Sequence, residues 1–117
     1  MKTNITGLTN TLLALYTSKN KCNTEYVNAF CARLMKTISR SDTLDMPKIH
    51  IDYKQNVSFL WSVDETASHL MEFNLNFTHC SFYDVITIEN IEYNLEDEME
   101  WRKFTRQLLS MEHAEVK

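Results

Sequence analysis

Apolar residues recur every three or four positions through the first forty residues, then every second position, and at the end every three or four again. Ile5, Leu8, Leu12, Leu15 and Tyr16 share one face of a helix predicted over residues 5–19. The polar stretch Ser18-Lys19-Asn20-Lys21 breaks it. Tyr26, Val27, Phe30, Cys31, Leu34, Met35 and Ile38 outline a second helix. Asn23 or Thr24 suits its N-cap, Glu25 its first turn, and Arg33, Lys36 and Arg40 its last turns, where cations meet the negative end of the helix dipole. Ser39 to Pro47 reads as a loop, because Pro47 disfavours helix at Met46.

The period then becomes two. Ile49, Ile51 and Tyr53 alternate with His50 and Asp52, and Val57, Phe59, Trp61 and Val63 alternate with Ser58, Leu60 and Ser62. Met71, Phe73 and Leu75 alternate with Glu72 and Asn74; Phe77, Tyr83 and Val85 alternate with Cys80 and Phe82. Short polar turns at Lys54-Gln55-Asn56, Asp64-Glu65-Thr66 and Asn74-Leu75-Asn76 separate these runs, as in an antiparallel meander of four strands. Leu60, Leu70 and Phe82 fall on its nominally polar face. Residues 86–93 either extend the fourth strand or make a fifth. From about Asn94 the helical period returns with Trp101, Phe104, Leu108 and Met111, supported by a Glu98–Arg102 pair at i,i+4. The expected fold class is α+β, in one domain over residues 1–117: two N-terminal helices, a four-stranded antiparallel β-meander, and a C-terminal helix packed on the sheet in a second layer.

Composition narrows the functional classes. The 117 residues are 44% hydrophobic and 24% charged, which suits a globular domain. With a single glycine, Gly7, and a single proline, no glycine-rich dinucleotide or phosphate loop can be written. No apolar run approaches the ~20 residues of a membrane span. Lys2 with Leu8, Leu12, Leu13 and Leu15 imitates a secretory leader, but Thr6, Thr9, Asn10 and Thr11 interrupt it and favour an amphipathic helix. Three cysteines, Cys22, Cys31 and Cys80, lack paired spacing and read as reduced thiols, so a cytoplasmic location is expected.

Charge is strongly divided. Residues 1–40 carry a net +5 and residues 41–117 a net −9, giving −4 for the chain. Glu89, Glu92, Glu96, Asp97, Glu98 and Glu100 form an acidic run with no base inside it. Its sharper interpretation is a docking surface for a basic protein partner, formed by Glu92, Glu96, Asp97 and Glu100 with Tyr93 as an exposed aromatic anchor. Its plainer one is attraction between the two halves, within one fold or across a homodimer. Direct nucleic-acid binding by the basic N-terminal helices is disfavoured by a pI near 5.5 and by the lack of interleaved aromatics.

Catalytic signatures are sparse. His50-x-Asp52, His69 and His79 are ligand types, and a hairpin through Asn74-Leu75-Asn76 would bring His69 and His79 together on one face. They follow neither HxxxH nor CxxC spacing, so no metal, cofactor or catalytic residue is assigned, and a small metal-assisted enzyme is the alternative. Cys31 sits on an apolar helix face, and His79 and Cys80 point to opposite sides of a strand. The run Pro47 to Val63, ending in Phe59-Leu60-Trp61, and an Asn/Thr/Lys/Ile-rich composition resemble small orphan proteins of phages and mobile elements. That resemblance transfers no functional residue. It implies an anti-CRISPR-like inhibitor of a host defence complex, as one form of the expected function: a non-catalytic protein-binding module, inhibitor or adaptor, acting by surface occlusion.

Overall fold

A computed structural model describes residues 2–18, 24–38, 43–63 and 66–113. Helix α1 spans Ile5–Ser18 and begins where the Asn4 side chain accepts the Gly7 N–H at 2.8 Å, an N-cap. A side chain at Gly7 would collide with the Thr3 hydroxyl, so the only glycine serves this close approach and none remains for the turns. Helix α2 spans Thr24–Thr37 and buries Val27, Phe30, Cys31 and Leu34. Tyr26 and Met35, expected on the apolar stripe, flank it and are exposed. Cys22, Asn23 and the basic residues Lys19, Lys21 and Arg40 lie outside the described residues.

Strands β1 (Lys2–Asn4) and β2 (Thr43–Asp45) pair antiparallel, so β2 occupies part of the expected loop. Strands β3 (Lys48–Ile51), β4 (Val57–Val63), β5 (Thr66–Phe73), β6 (His79–Asp84) and β7 (Glu89–Asn94) form one antiparallel meander. The sheet therefore has five strands, not four, and residues 86–93 divide between a turn and the fifth strand. Tyr53 belongs to the β3–β4 turn, at 86% exposure, rather than to a buried strand face.

One face of this sheet is apolar: Val57, Phe59, Trp61, Met71, Phe73, Cys80 and Phe82 are buried. The expected phase of β6 is reversed, since Cys80 and Phe82 point inward beside Phe73 and Met71. The cause is Phe77. It lies in the turn before β6 with φ of 56°, and that left-handed step shifts the alternation by one residue. Phe30 of α2 meets Phe73 edge-on at 5.3 Å and stacks on Phe77 at 4.4 Å. Helix α3 (Glu98–Leu109) joins through Phe104, which meets Phe73 at 5.7 Å and Tyr93 at 6.2 Å. Trp61 is core as expected, and its indole donates to the Asp45 carbonyl at 2.7 Å.

Arg33 ties α2 to α3. Its guanidinium lies 4.0 Å over the Trp101 ring, donates to the Leu95 carbonyl at 2.5 Å and meets Glu98 at 3.2 Å. The Trp101 indole in turn donates to Thr37 at 2.9 Å. Charge attraction between the basic and acidic halves is thus realised inside the fold at this contact. No described helix is long and apolar enough to cross a membrane.

Candidate functional site: the β6–β7 hairpin

Among the described residues three hairpin turns hold a left-handed residue, and without glycine they use Gln55 (φ 68°), Phe77 (φ 56°) and Ile88 (φ 58°). Such a conformation costs about 1–3 kcal/mol for a residue with a side chain, most severely when it is β-branched. Phe77 offsets this by burial against Phe30 and Phe73. At Gln55 the backbone carbonyl accepts the Tyr16 hydroxyl at 3.2 Å. Ile88 has no compensating burial, because its side chain is 75% exposed.

The turn around Ile88 is nevertheless firmly built. Asp84 accepts the Ile86 N–H at 2.9 Å and the Thr87 N–H at 3.3 Å through one carboxylate oxygen, and its carbonyl accepts the Ile88 N–H at 2.8 Å. Partial desolvation pushes the Asp84 carboxyl up, but the Thr87 and Ile86 amides and the nearby His69 outweigh it and hold the group below its ordinary value. The second oxygen of Asp84 lies 3.6 Å from His69 Nε2, and the His69 ring stacks on Phe82 at 5.7 Å. This scaffold presents Ile86, 71% exposed, and Ile88 at its tip, with Val85 and Ile91 partly exposed behind them. Glu89 and Glu92 are exposed on the adjoining strand.

Ser68, His69 and Asp84 stand in the order of a nucleophilic triad, with Ser68 Oγ 3.0 Å from His69 Nδ1. Ser68 is only 2% exposed and donates its proton to the Trp61 carbonyl, so its oxygen faces no substrate space. The set braces the hairpin. The remaining ligand-type residues do not converge. His69 pairs with Asp84 on the inner face of the sheet, while His79 lies five positions along β6 on the outer face, so the expected juxtaposition fails. His50 is on β3, and Asp52 caps the β3–β4 turn by accepting the Lys54 and Asn56 N–H groups, each at 2.9 Å. Among the described residues no group of three His, Cys, Asp or Glu side chains could hold a metal ion. Burial pushes the Cys31 thiol up to about 12 and raises that of Cys80 as well.

The acidic run has structural work. Asp97 is the N-cap of α3, accepting the Met99 and Glu100 N–H groups; Glu100 accepts the Asn94 N–H at 2.7 Å; and Glu98 meets Arg33 and Arg102. Glu92 accepts the Ser81 hydroxyl at 2.9 Å, while Glu96 is exposed in the turn. Tyr93, expected as an exposed anchor, is buried at 6% on the inner face against Phe104, because β7 is a separate strand whose inward positions are the odd ones. The β6–β7 turn instead exposes the apolar side chains of Ile86 and Ile88, in a segment that the period-two pattern assigns to a strand. No family model matches the chain, and neither a curated protein nor a solved structure matches it.

Proposed function

We propose that the protein is a non-catalytic protein-binding module that acts by covering a partner's surface, with the β6–β7 tip as its anchor. The supporting observation is Ile88: an exposed β-branched side chain kept in a left-handed conformation that glycine would occupy without steric cost. Strain held at a well-braced, solvent-facing tip is characteristic of a functional position. A pair of isoleucines also supplies the buried apolar anchor of a binding hot spot, and the neighbouring Glu89 and Glu92 suit a basic rim around the receiving pocket. The partner is therefore a protein with an apolar pocket edged by lysine or arginine. The resemblance of Pro47–Val63 to phage and mobile-element proteins would make that partner part of a host defence complex. Arg33, occupied by Leu95, Glu98 and Trp101, contributes little to a nucleic-acid surface, which disfavours that alternative.

The test is affinity capture from source cells with the wild type and with Ile86→Ser/Ile88→Gly, a change that leaves every backbone partner of the turn in place. A protein retained by the wild type and lost with the double variant is the expected result. Undiminished capture would remove the hairpin from the interface.

A further inference from the structure

Strand β7 is an edge of the five-stranded sheet, and its backbone has a definite polarity. Asn94 stands opposite His79 while the Leu95 N–H donates to the Thr78 carbonyl at 2.9 Å, which makes Asn94–His79 a non-hydrogen-bonded pair. The backbone groups of Glu89, Ile91 and Tyr93 therefore turn toward β6, and those of Asn90, Glu92 and Asn94 turn out of the sheet edge. The Asn94 groups are already taken: its N–H donates to Glu100 Oε1 at 2.7 Å, and its carbonyl accepts the Asp97 N–H at 3.1 Å. The α3 N-terminus thus closes one end of the edge, a common protection against uncontrolled pairing. Asn90 and Glu92 remain, both exposed and placed symmetrically about Ile91.

We propose that this edge pairs with the same edge of a second copy of the chain, antiparallel, about a twofold axis through Ile91. Asn90 then faces Glu92 of the second copy and Glu92 faces its Asn90, each pair exchanging two backbone hydrogen bonds. A twofold centred on Glu92 would oppose two carboxylates and require the occupied Asn94 groups; one centred on Asn90 would pair Glu92 with the turn residue 88. Only the Ile91 register uses the outward groups that the edge leaves open.

The side chains agree with that register. Ile91, 41% exposed in the single chain, meets Ile91 of the second copy. Beside it runs a groove of about 510 Å³ between β7 and α3, lined by Ile91, Tyr93, Lys103, Arg106, Gln107 and Ser110. Glu89 of the second copy falls opposite Tyr93, at the cationic part of this groove, so Lys103 and Arg106 receive its carboxylate. Opposite charges therefore meet at both ends of the symmetric contact. The paired segment is short, which places the dimer among weak, concentration-dependent assemblies.

Sedimentation equilibrium over a roughly hundredfold concentration range reads the assembly directly. The mass should rise from 13.8 kDa toward twice that value. Asn90→Pro removes one outward donor without touching the β6 ladder and should hold the protein at the monomer mass. Glu89→Lys alone and Lys103→Glu/Arg106→Glu alone should each be monomeric through repulsion. Their equimolar mixture restores opposite charge at both ends and should dimerise, with unchanged far-UV circular dichroism throughout. A wild type that stays at the monomer mass would overturn the proposal, as would folded charge variants whose mixture stays monomeric. Neither result depends on the partner of the hairpin tip, so the outcome is independent of the proposed function.

Discussion

Replacing Ile88 by glycine should stabilise the protein. The left-handed backbone at φ 58° costs a β-branched residue about 2 kcal/mol, which glycine removes. Against this, glycine loses more freedom on folding, about 0.7 kcal/mol, and the buried quarter of the isoleucine surface forfeits about 0.5 kcal/mol. The net gain is about 1 kcal/mol, or about 4 °C in Tm for a chain of 117 residues. Phe77→Gly is the matched comparison. It relieves the same kind of strain at φ 56°, but it empties a site stacked on Phe30 at 4.4 Å. Loss of that buried ring should give a net destabilisation of about 3 kcal/mol. Urea titration and thermal melting of both variants measure the pair. If Ile88→Gly destabilises by 1 kcal/mol or more, the side chain supports the fold, and the inference that it is kept for docking is refuted.

Arg33→Ala should cost about 2–3 kcal/mol in urea unfolding, mostly from the lost bond to the Leu95 carbonyl and the contact with Trp101, since the Glu98 partner is exposed. Arg33→Lys should recover less than half, because an ammonium cannot reproduce the planar fork. Asp97→Ala should cost about 1 kcal/mol through loss of the α3 N-cap, whereas Glu96→Lys should stay within about 0.5 kcal/mol; equal effects on the denaturant midpoint would contradict the assignment of the cap. Cys31 and Cys80 are buried free thiols with raised pKa, so peptide-resolved mass spectrometry after alkylation at pH 8 should find both unmodified in the folded protein. Labelling of either without denaturant would show that the core opens more readily than its packing implies.

The helices were legible because their buried stripes are long. Leu8, Leu12 and Tyr16 mark one, Trp101, Phe104 and Leu108 another, and each lies where the 3.6 period places it. Strand β4 was equally plain, with Val57, Phe59 and Trp61 inward. Strand β7 was not, because an edge strand with only Tyr93 buried shows no alternation in Glu89-Asn90-Ile91-Glu92-Tyr93-Asn94. The phase of β6 was hidden by a left-handed phenylalanine, which no propensity rule anticipates. The hairpin tip escaped for the same reason: Val85-Ile86-Thr87-Ile88 carries strand-forming residues but makes a turn, imposed by the Asp84 carboxylate and carbonyl. The acidic run was visible as charge. Its division into cap, tether and exposed side chain depends on the turn that brings Glu100 back to Asn94 and on Arg33 reaching across from α2.

Binding of a protein partner by the exposed isoleucine tip is read directly by side-by-side capture with the wild type and Ile86→Ser/Ile88→Gly, at matched levels of folded protein. A partner bound by the wild type should be lost from the double variant even though Ile88→Gly makes the fold more stable. Binding of the same partner to the same extent by both proteins would show that the tip is not the anchor.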